Sequence, residues 1–339
     1  MTVQSFLDRY FSAIEAEMRT VVNSTSLELH DLYGYLHYHL GWADEEFRPV
    51  GGHAGKRLRP AFCLLTCEAC GGDWEQALPA AAAVELLHSF SLIHDDIEDG
   101  DTTRRGRPAV WALWGVPQAI NAGDALYALA HVALLRLADR GLAAETVIAA
   151  LQLFNRACLR LTEGQFMDIR FESQENVSTN AYLLMVEGKT TALLAASCEL
   201  GALVADAPLL QREHMRAFGH HLGLAFQIQD DLLGIWGDPQ VTGKPVGSDL
   251  LRRKKTLPIV HGLQRSEPLR ALLAQADLSS DDVDRAVELL EDVGSRAFAT
   301  HEAQQHTDRA LVALDAADLQ TPAADALREL ALRLLNRVR

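Results

Sequence analysis

Positive charge is scarce in this chain: Lys and Arg number 31 against 46 Asp and Glu, a formal net charge of -15 over 339 residues. That balance excludes general nucleic-acid binding, which needs excess basic charge to displace counterions from phosphates. It also sets the chain against anionic membrane surfaces, so an anionic ligand must be held by local basic clusters or by bound cations. Cysteine is sparse too; five, an odd number in a long chain, do not make a disulfide framework. Long hydrophobic runs are missing. The most apolar stretch, 78–93, contains Glu85 and His88 and is shorter than a bilayer crossing requires. The first 18 residues are amphipathic and carry Asp8, Glu15 and Glu17, without the basic start and apolar run of a signal peptide. These absences predict a soluble, cytoplasmic protein with no integral membrane segment and no nucleic-acid partner.

Strand signals are the next shortage. Alternating β-branched runs are nearly absent, whereas Ala, Leu, Glu and Arg recur at helical spacing. Helices are predicted near 2–19, 27–40, 54–70, 75–99, 117–139, 143–171, 178–204, 208–235, 252–263, 280–294 and 297–338. Turn chemistry separates several of them, as at Gly71-Gly72-Asp73, Arg105-Gly106-Arg107-Pro108 and Gly237-Asp238-Pro239. No Ser/Gly linker, low-complexity tract or fixed-period repeat interrupts the pattern, and 48% hydrophobic residues supply a sizeable core. The prediction is one all-α domain over 1–339, with the helices near 77–94 and 117–135, apolar on most sides, at its centre.

What is present in abundance is carboxylate at helix ends. In Leu92-Ile93-His94-Asp95-Asp96-Ile97-Glu98-Asp99, Asp95 and Asp99 lie one turn apart on one face, with Asp96 about 100° round. Like charges at that spacing repel, and they follow an apolar helix that ought to be buried. The bland alternative is a solvated helix end. The chemical one is a site for Mg²⁺, a hard cation that keeps several waters and bridges carboxylates to substrate phosphates. A second acidic pair, Asp230-Asp231, ends another apolar helix in Phe226-Gln227-Ile228-Gln229-Asp230-Asp231-Leu232-Leu233-Gly234. Facing each other, two such ends hold one diphosphate through a cluster of Mg²⁺ ions.

Basic residues are interleaved with these pairs: Gly55-Lys56-Arg57-Leu58-Arg59-Pro60 before the first, Arg104-Arg105-Gly106-Arg107 just after it, then Glu187-Gly188-Lys189-Thr190, Gly243-Lys244-Pro245 and Arg252-Arg253-Lys254-Lys255. Alone, each reads as a solvated face or a cap; together they supply the planar forks and point charges that phosphate oxygens require. In this order the segments G-K-R-L-R-P, D-D-x-x-D, R-R-G-R-P, G-Q-x-x-D at 164–168, G-K-T, F-Q-x-x-D-D and K-K-T-L-P resemble the trans-prenyl diphosphate synthases, or polyprenyl synthetases, over about two thirds of the chain.

The resemblance implies an isoprenoid-synthase-type bundle of mostly antiparallel helices around a deep central cavity, assembled as a homodimer. It implies three Mg²⁺ ions bound with an allylic diphosphate, with Asp95, Asp99 and Asp230 as ligands and Asp96 and Asp231 in support. Arg104, Lys189, Thr190, Gln227, Lys244 and Lys254 match positions that bind the allylic diphosphate. Lys56, Arg57, His88 and Arg105 match the isopentenyl diphosphate site. The implied reaction is a 1'-4, trans condensation through an allylic carbocation. Just before the first pair, Phe90 and Ser91 match the residues that limit product length, as in short-chain enzymes and geranylgeranyl diphosphate synthases especially. Tyr127 on a neighbouring apolar helix adds to that floor. The expected product is C20, with C15 next; the alternative is that both aromatics are ordinary core.

One departure stands out: where the family has a third aspartate in the second motif, this chain has Gly234, a vacancy expected to be filled by water. Two other readings remain beside the synthase. A terpene cyclase shares the first motif but has no use for Lys56-Arg57, and a non-catalytic partner subunit is suggested by Gly234. Cys63-x-x-x-Cys67-x-x-Cys70 has the spacing of iron–sulfur ligands, but also that of one helical face, and is expected to be core. His220 and His221 are read as structural.

Overall fold

The computed structural model of the chain describes residues 2–24, 26–51, 55, 57–238, 247–275 and 277–335. Lys56 and Lys244, two of the expected substrate ligands, lie outside those residues. The helices run in chain order α1 (Val3–Val21), α2 (His30–His39), α3 (Leu58–Ala69), α4 (Leu78–Glu98), α5 (Val110–Trp114), α6 (Val116–Leu135), α7 (Ala144–Glu172), α8 (Thr179–Val186), α9 (Ala192–Val204) and α10 (Leu209–Trp236). After α10 come α11 (Ser248–Leu251), α12 (Leu257–Arg265), α13 (Glu267–Leu273), α14 (Ser280–Asp292), α15 (Ser295–Ala316) and α16 (Pro322–Leu335). Among the described residues the sheet content is a two-stranded hairpin, β1 (Thr103–Arg104) with β2 (Arg107–Pro108). The all-α expectation holds.

The chain divides into two compact units, one of Met1–Asn155, Ser197–Arg212 and Leu319–Leu327, the other of Arg156–Ala196, Glu213–Asp318 and Arg328–Arg339. In the first, α4 packs against α1, α3 and α6. Its alanine run, Ala80 to Ala83, is fully buried, and small side chains let the neighbouring helices approach closely. At Gly123 on α6 an added Cβ would lie 2.3 Å from the His94 ring, so that glycine sets the α4–α6 spacing. The stretch Trp74–Glu98 has the length and hydropathy of a membrane span, yet 72% of its apolar window is buried, as in a core helix. Cys63 and Cys67 lie buried in α3, and all five cysteines are free thiols; burial pushes Cys63 well up and Cys67 up to about 12. The iron–sulfur alternative finds no support.

Contrary to expectation, α6 is only half central. Ala119, Ala122, Leu126, Ala130 and Leu134 are buried, but Ile120, Tyr127, Val132 and Leu135 on its other side are exposed.

In the second unit one cluster joins Phe171, Tyr182, Met185, Leu224, Ile228, Leu257 and Val260, and another joins Ile235, Leu250, Ile259, Leu269, Ala286 and Leu290. The expected helix 178–204 runs without interruption from Thr179 to Val204, with a π-helical turn over Glu187–Thr191 between α8 and α9. The expected 252–263 helix begins only at Leu257, because Pro258 belongs in a first turn and its ring would clash further in. The expected 297–338 helix ends at Ala316, where Asp318 takes φ 50, and restarts at Pro322. The short helices α5 and α13 and the hairpin are additions that hydrophobic period does not signal.

Candidate active site

The first cluster is built where α4 runs out. Asp95 and Asp96 sit in its last turn, and Asp99 is its C-cap, its N–H bonded to Asp95 O. The chain then turns through Asp101, whose N–H reaches Asp96 O at 2.9 Å, into the hairpin. Arg105 and Gly106 form its tip with φ of 54 and 75, the double left-handed turn that matches strand twist. The tip delivers Arg104 onto Asp96: Nε donates to Oδ1 at 2.7 Å and Nη2 to the same oxygen, while Asp95 Oδ2 lies 3.8 Å away. Arg107 anchors the hairpin by donating to Ala43 O at 2.8 Å.

A buried basic cluster adjoins it within the same unit. Arg57, in a left-handed backbone conformation at the head of α3, lies between Glu15 at 2.8 Å, off the hydrogen-bond direction, and Glu85 at 3.4 Å. Arg59 Nη1 contacts His88 Nε2 at 3.2 Å. Burial and the nearby arginines hold His88 well below its usual range, so its ring accepts here. Burial raises Glu85, and Arg57, Arg105 and Arg59 pull it back.

The second cluster surrounds a small cavity of about 30 Å³ lined by Asp168, Lys189, Thr190, Gln227, Asp231 and Lys254. Its shape depends on two glycines. Gly164 on α7 and Gly188 in the π turn touch backbone to backbone, and a Cβ on Gly164 would lie 2.1 Å from Lys189 N. This contact sets Lys189 Nζ on Asp168 Oδ2 at 2.5 Å. Thr190 Oγ1 donates to Gln227 Oε1 at 2.9 Å, and Gln227 Nε2 donates to Asp231 Oδ1 at 3.2 Å. Asp231 also receives the Tyr182 hydroxyl and, at 3.0 Å, the N–H of Leu257, so it caps the orphaned N-terminus of α12. Burial pushes Asp231 up to about 7 against the pull of those donors. Burial lowers Lys254, but Asp231, Asp168 and Asp249 outweigh it and leave the ammonium raised.

The two aspartate pairs share one design. The second members, Asp96 and Asp231, are 1% and 2% exposed and tied down by named donors, whereas Asp95 is half-buried and Asp99 and Asp230 are exposed. Solvent-facing carboxylates suit Mg²⁺, which retains waters. Asp96 keeps one buried oxygen, Oδ2, with no hydrogen-bond partner among the described residues, an acceptor that a nearby cation would satisfy. Among the described residues no three His, Cys, Asp or Glu form a ready-made metal cage; Mg²⁺ sites completed by substrate phosphate and water need none. The donor set fits the ion.

The vacancy at Gly234 is not a space for water. A Cβ there would meet Asp249 Oδ2 at 2.0 Å, so the carboxylate of Asp249 already occupies the volume that the missing third aspartate would start from.

The sequence model of the polyprenyl synthetases matches residues 42–290. The chain belongs to that family. It is a trans-prenyl diphosphate synthase, and two curated enzymes of Mycobacterium tuberculosis (strain ATCC 25618 / H37Rv) resemble it equally. A (2E,6E)-farnesyl diphosphate synthase is 46% identical over 88% of this chain and 84% of its own. A geranylgeranyl diphosphate synthase is 46% identical over 87% and 85%. The structure of a polyprenyl synthetase from Streptomyces coelicolor A3(2) superposes with TM-score 0.90 at 38% identity, covering 98% of this chain and 99% of that one. A geranylgeranyl pyrophosphate synthase from Corynebacterium glutamicum, TM-score 0.81 and 28% identity over 99% and 98%, was crystallised with isoprenyl diphosphate and magnesium.

Of the residues read from the sequence, the first unit holds Asp95, Asp96 and Arg104 together, and Arg57, His88 and Arg105 in the basic cluster. The second gathers Lys189, Thr190, Gln227, Asp231 and Lys254. Phe90 packs edge-on against His94 and at a tilt against Tyr127, with centroids 4.8 and 5.2 Å apart, and Ser91 Oγ donates back to His88 O at 2.8 Å. His221 pairs with His306 at 3.1 Å between Nδ1 atoms, a packing contact. Sequence reasoning missed Tyr182, Glu85 and Asp249, none of which sits in a signature spacing. Asp168 was in view as the last letter of G-Q-x-x-D, without a role.

Proposed function

We propose that this synthase condenses isopentenyl diphosphate with an allylic diphosphate, 1'-4 and trans, to give mainly a C20 product with C15 next. The observation that carries the reading is the convergence of Lys189, Thr190, Gln227 and Lys254 with Asp168 and Asp231 around one small cavity. These are the residues the resemblance assigns to the allylic diphosphate. By the resemblance, Asp95, Asp99 and Asp230 would hold three Mg²⁺ ions, which would supply positive charge for the departing diphosphate. Arg104, Lys189 and Lys254 add fixed charge for the same oxygens. Asp96 and Asp231 hold Arg104, Gln227 and the head of α12 in place. Lys56, Arg57, His88 and Arg105 take the isopentenyl diphosphate, and Lys244 joins the allylic set. The Gln227 and Thr190 oxygens orient dipoles toward the allylic cation, which isopentenyl diphosphate attacks through its double bond. A proton is then lost to the departing diphosphate, so no protein nucleophile is needed. Phe90 and Tyr127, already in contact, form the floor against which the product stops.

The protein reads as a cytoplasmic homodimer whose 339 residues act as one catalytic domain. In the first unit the exposed Ile120, Val132 and Leu135 of α6, and separately in the second unit the exposed Leu159, Phe166 and Ile169 of α7, are apolar surface of the kind that supports the dimer reading. Incubating purified protein with Mg²⁺, isopentenyl diphosphate and each allylic primer, then resolving products by chain length, tests the proposal. Released diphosphate with C20 or C15 product is expected. A hydrocarbon product would mean a cyclase, and no released diphosphate with any primer a partner subunit.

A further inference from the structure

A cavity of about 410 Å³ lies in the first unit beside the hairpin, lined by Tyr38, His39, Gly55, Arg104, Arg105 and Arg107 among others, with no carboxylate among its described lining residues. Arg104 is committed to Asp96 and Arg107 to backbone carbonyls, yet both still contribute charge. One polar side chain in this wall is unexplained. His39, the last residue of α2, is 8% exposed, and its ring is tied to the backbone of Ser89. Its Nε2 is buried, with no partner among the described residues. A buried, unsatisfied nitrogen is costly to the fold, and such groups persist where a ligand completes them.

Neither neighbouring histidine of α2 is placed this way. His30 is exposed beside Asp31, and His37 Nε2 is satisfied by Val22 O at 3.0 Å. The charged groups facing His39 are Arg104, Arg105 and Arg107 on the hairpin and His88 on α4, all basic. A ring nitrogen in such surroundings stays neutral until an anion arrives. The anion both offsets the arginines and offers an oxygen acceptor.

We propose that His39 is a further binding residue for isopentenyl diphosphate: its Nε2 takes a proton from solvent as the diphosphate enters and donates it in a hydrogen bond to a phosphate oxygen. The inference rests on the substrate reading above. It makes substrate binding proton-coupled. In the ligand-free chain, burial first and the arginines second hold the ring down to about 3, so it is neutral at pH 7 and the proton must be gained on binding. Affinity therefore strengthens as pH falls through the raised value His39 has in the complex.

The test is calorimetric titration of the full-length protein with isopentenyl diphosphate and no allylic partner, so that no turnover occurs, in two buffers of different ionisation heat at pH 7. His39→Asn keeps a donor for the Ser89 side and removes Nε2; His39→Gln keeps a neutral donor near Nε2. Wild type is expected to take up about one proton more than either variant, since each loses the titrating nitrogen. The Asn variant should bind about tenfold more weakly, with the Gln variant between. Equal proton counts with Kd values within twofold overturn the role of His39. Should His39→Asn fail to fold, the Gln comparison alone decides by the proton count. If wild type ignores isopentenyl diphosphate but binds inorganic diphosphate, the substrate reading falls, and His39 is judged by the proton count with that anion. If neither binds, both readings fall.

Discussion

Gly164→Ala is the substitution that asks whether the contact between α7 and the π turn sets Lys189. The added Cβ would lie 2.1 Å from Lys189 N, 2.7 Å from Gly188 C and 2.8 Å from Lys189 Cα, against 3.4 Å for an ordinary contact. All three obstacles are backbone, so no rotamer change relieves them; the turn itself must move. Overpacking of this kind costs about 3 kcal/mol, and the better helix propensity of alanine returns about 1 kcal/mol. With an unfolding entropy of about 2.1 cal/mol/K per residue, a net loss of about 2 kcal/mol lowers Tm by only about 3 °C if the whole chain unfolds together. Activity is far more sensitive. Moving Lys189 off Asp168 by about 1 Å is expected to reduce kcat on the order of 100-fold, because a misplaced charge no longer meets the leaving group. Diphosphate release and a thermal melt on the same preparation measure the two effects. Gly51→Ala, where a Cβ meets nothing within 4 Å among the described residues, is the control. A Gly164→Ala enzyme with kcat within twofold of wild type would refute the assignment of Lys189 to the reacting diphosphate or the dependence of its position on this contact.

Gly234→Ala has the opposite profile: its obstacle is the Asp249 carboxylate at 2.0 Å, a side chain that can rotate away. Stability should change by less than about 1 kcal/mol, while the Mg²⁺ concentration for half-maximal activity rises about tenfold as a carboxylate near the metal is displaced; an unchanged Mg²⁺ titration would show Asp249 to be irrelevant. Phe90→Ala removes a ring that packs at a tilt on Tyr127, centroids 5.2 Å apart, and is expected to yield longer products by chromatography, with unchanged lengths sinking the floor assignment. Acid should destabilise the fold early. His39 sits at about 3 and His221 and His306 at about 4, each depressed mainly by burial from an unfolded value of 6.5. Below pH 6.5 the unfolded chain therefore binds protons that the folded chain refuses, and stability falls as pH drops towards about 4. A urea midpoint that stays level from pH 7 to pH 5 would contradict those environments.

The helices and the reactive letters were legible because both are local. Apolar period marks α4 and α10; the first aspartates fall where α4 runs out, whereas Asp230 and Asp231 sit more than a turn before the end of α10 at Trp236, not at its end as the sequence suggests. What was not legible is which carboxylate of a pair does what. Asp95 and Asp96 are the same residue type, and Asp230 and Asp231 likewise. The buried member is chosen by partners brought from elsewhere: Arg104 by a hairpin with too few residues to show a period, Tyr182 from 49 positions before Asp231. The same limit explains Gly234. In one dimension it reads as a missing ligand, whereas in the fold the side chain of Asp249 stands against its Cα, so the deletion of one carboxylate and the placement of another belong together. Gly164 and Gly188 make the point from the other side. Each is visible as a letter of a motif, but the reason for either is the other. A Cβ on Gly188 would lie 2.8 Å from the Gly164 Cα, so relaxing one position alone leaves the clash in place. Motifs that look like separate phosphate ligands, G-Q-x-x-D and G-K-T, are thus one device, in which two glycines allow the contact that puts Lys189 on Asp168.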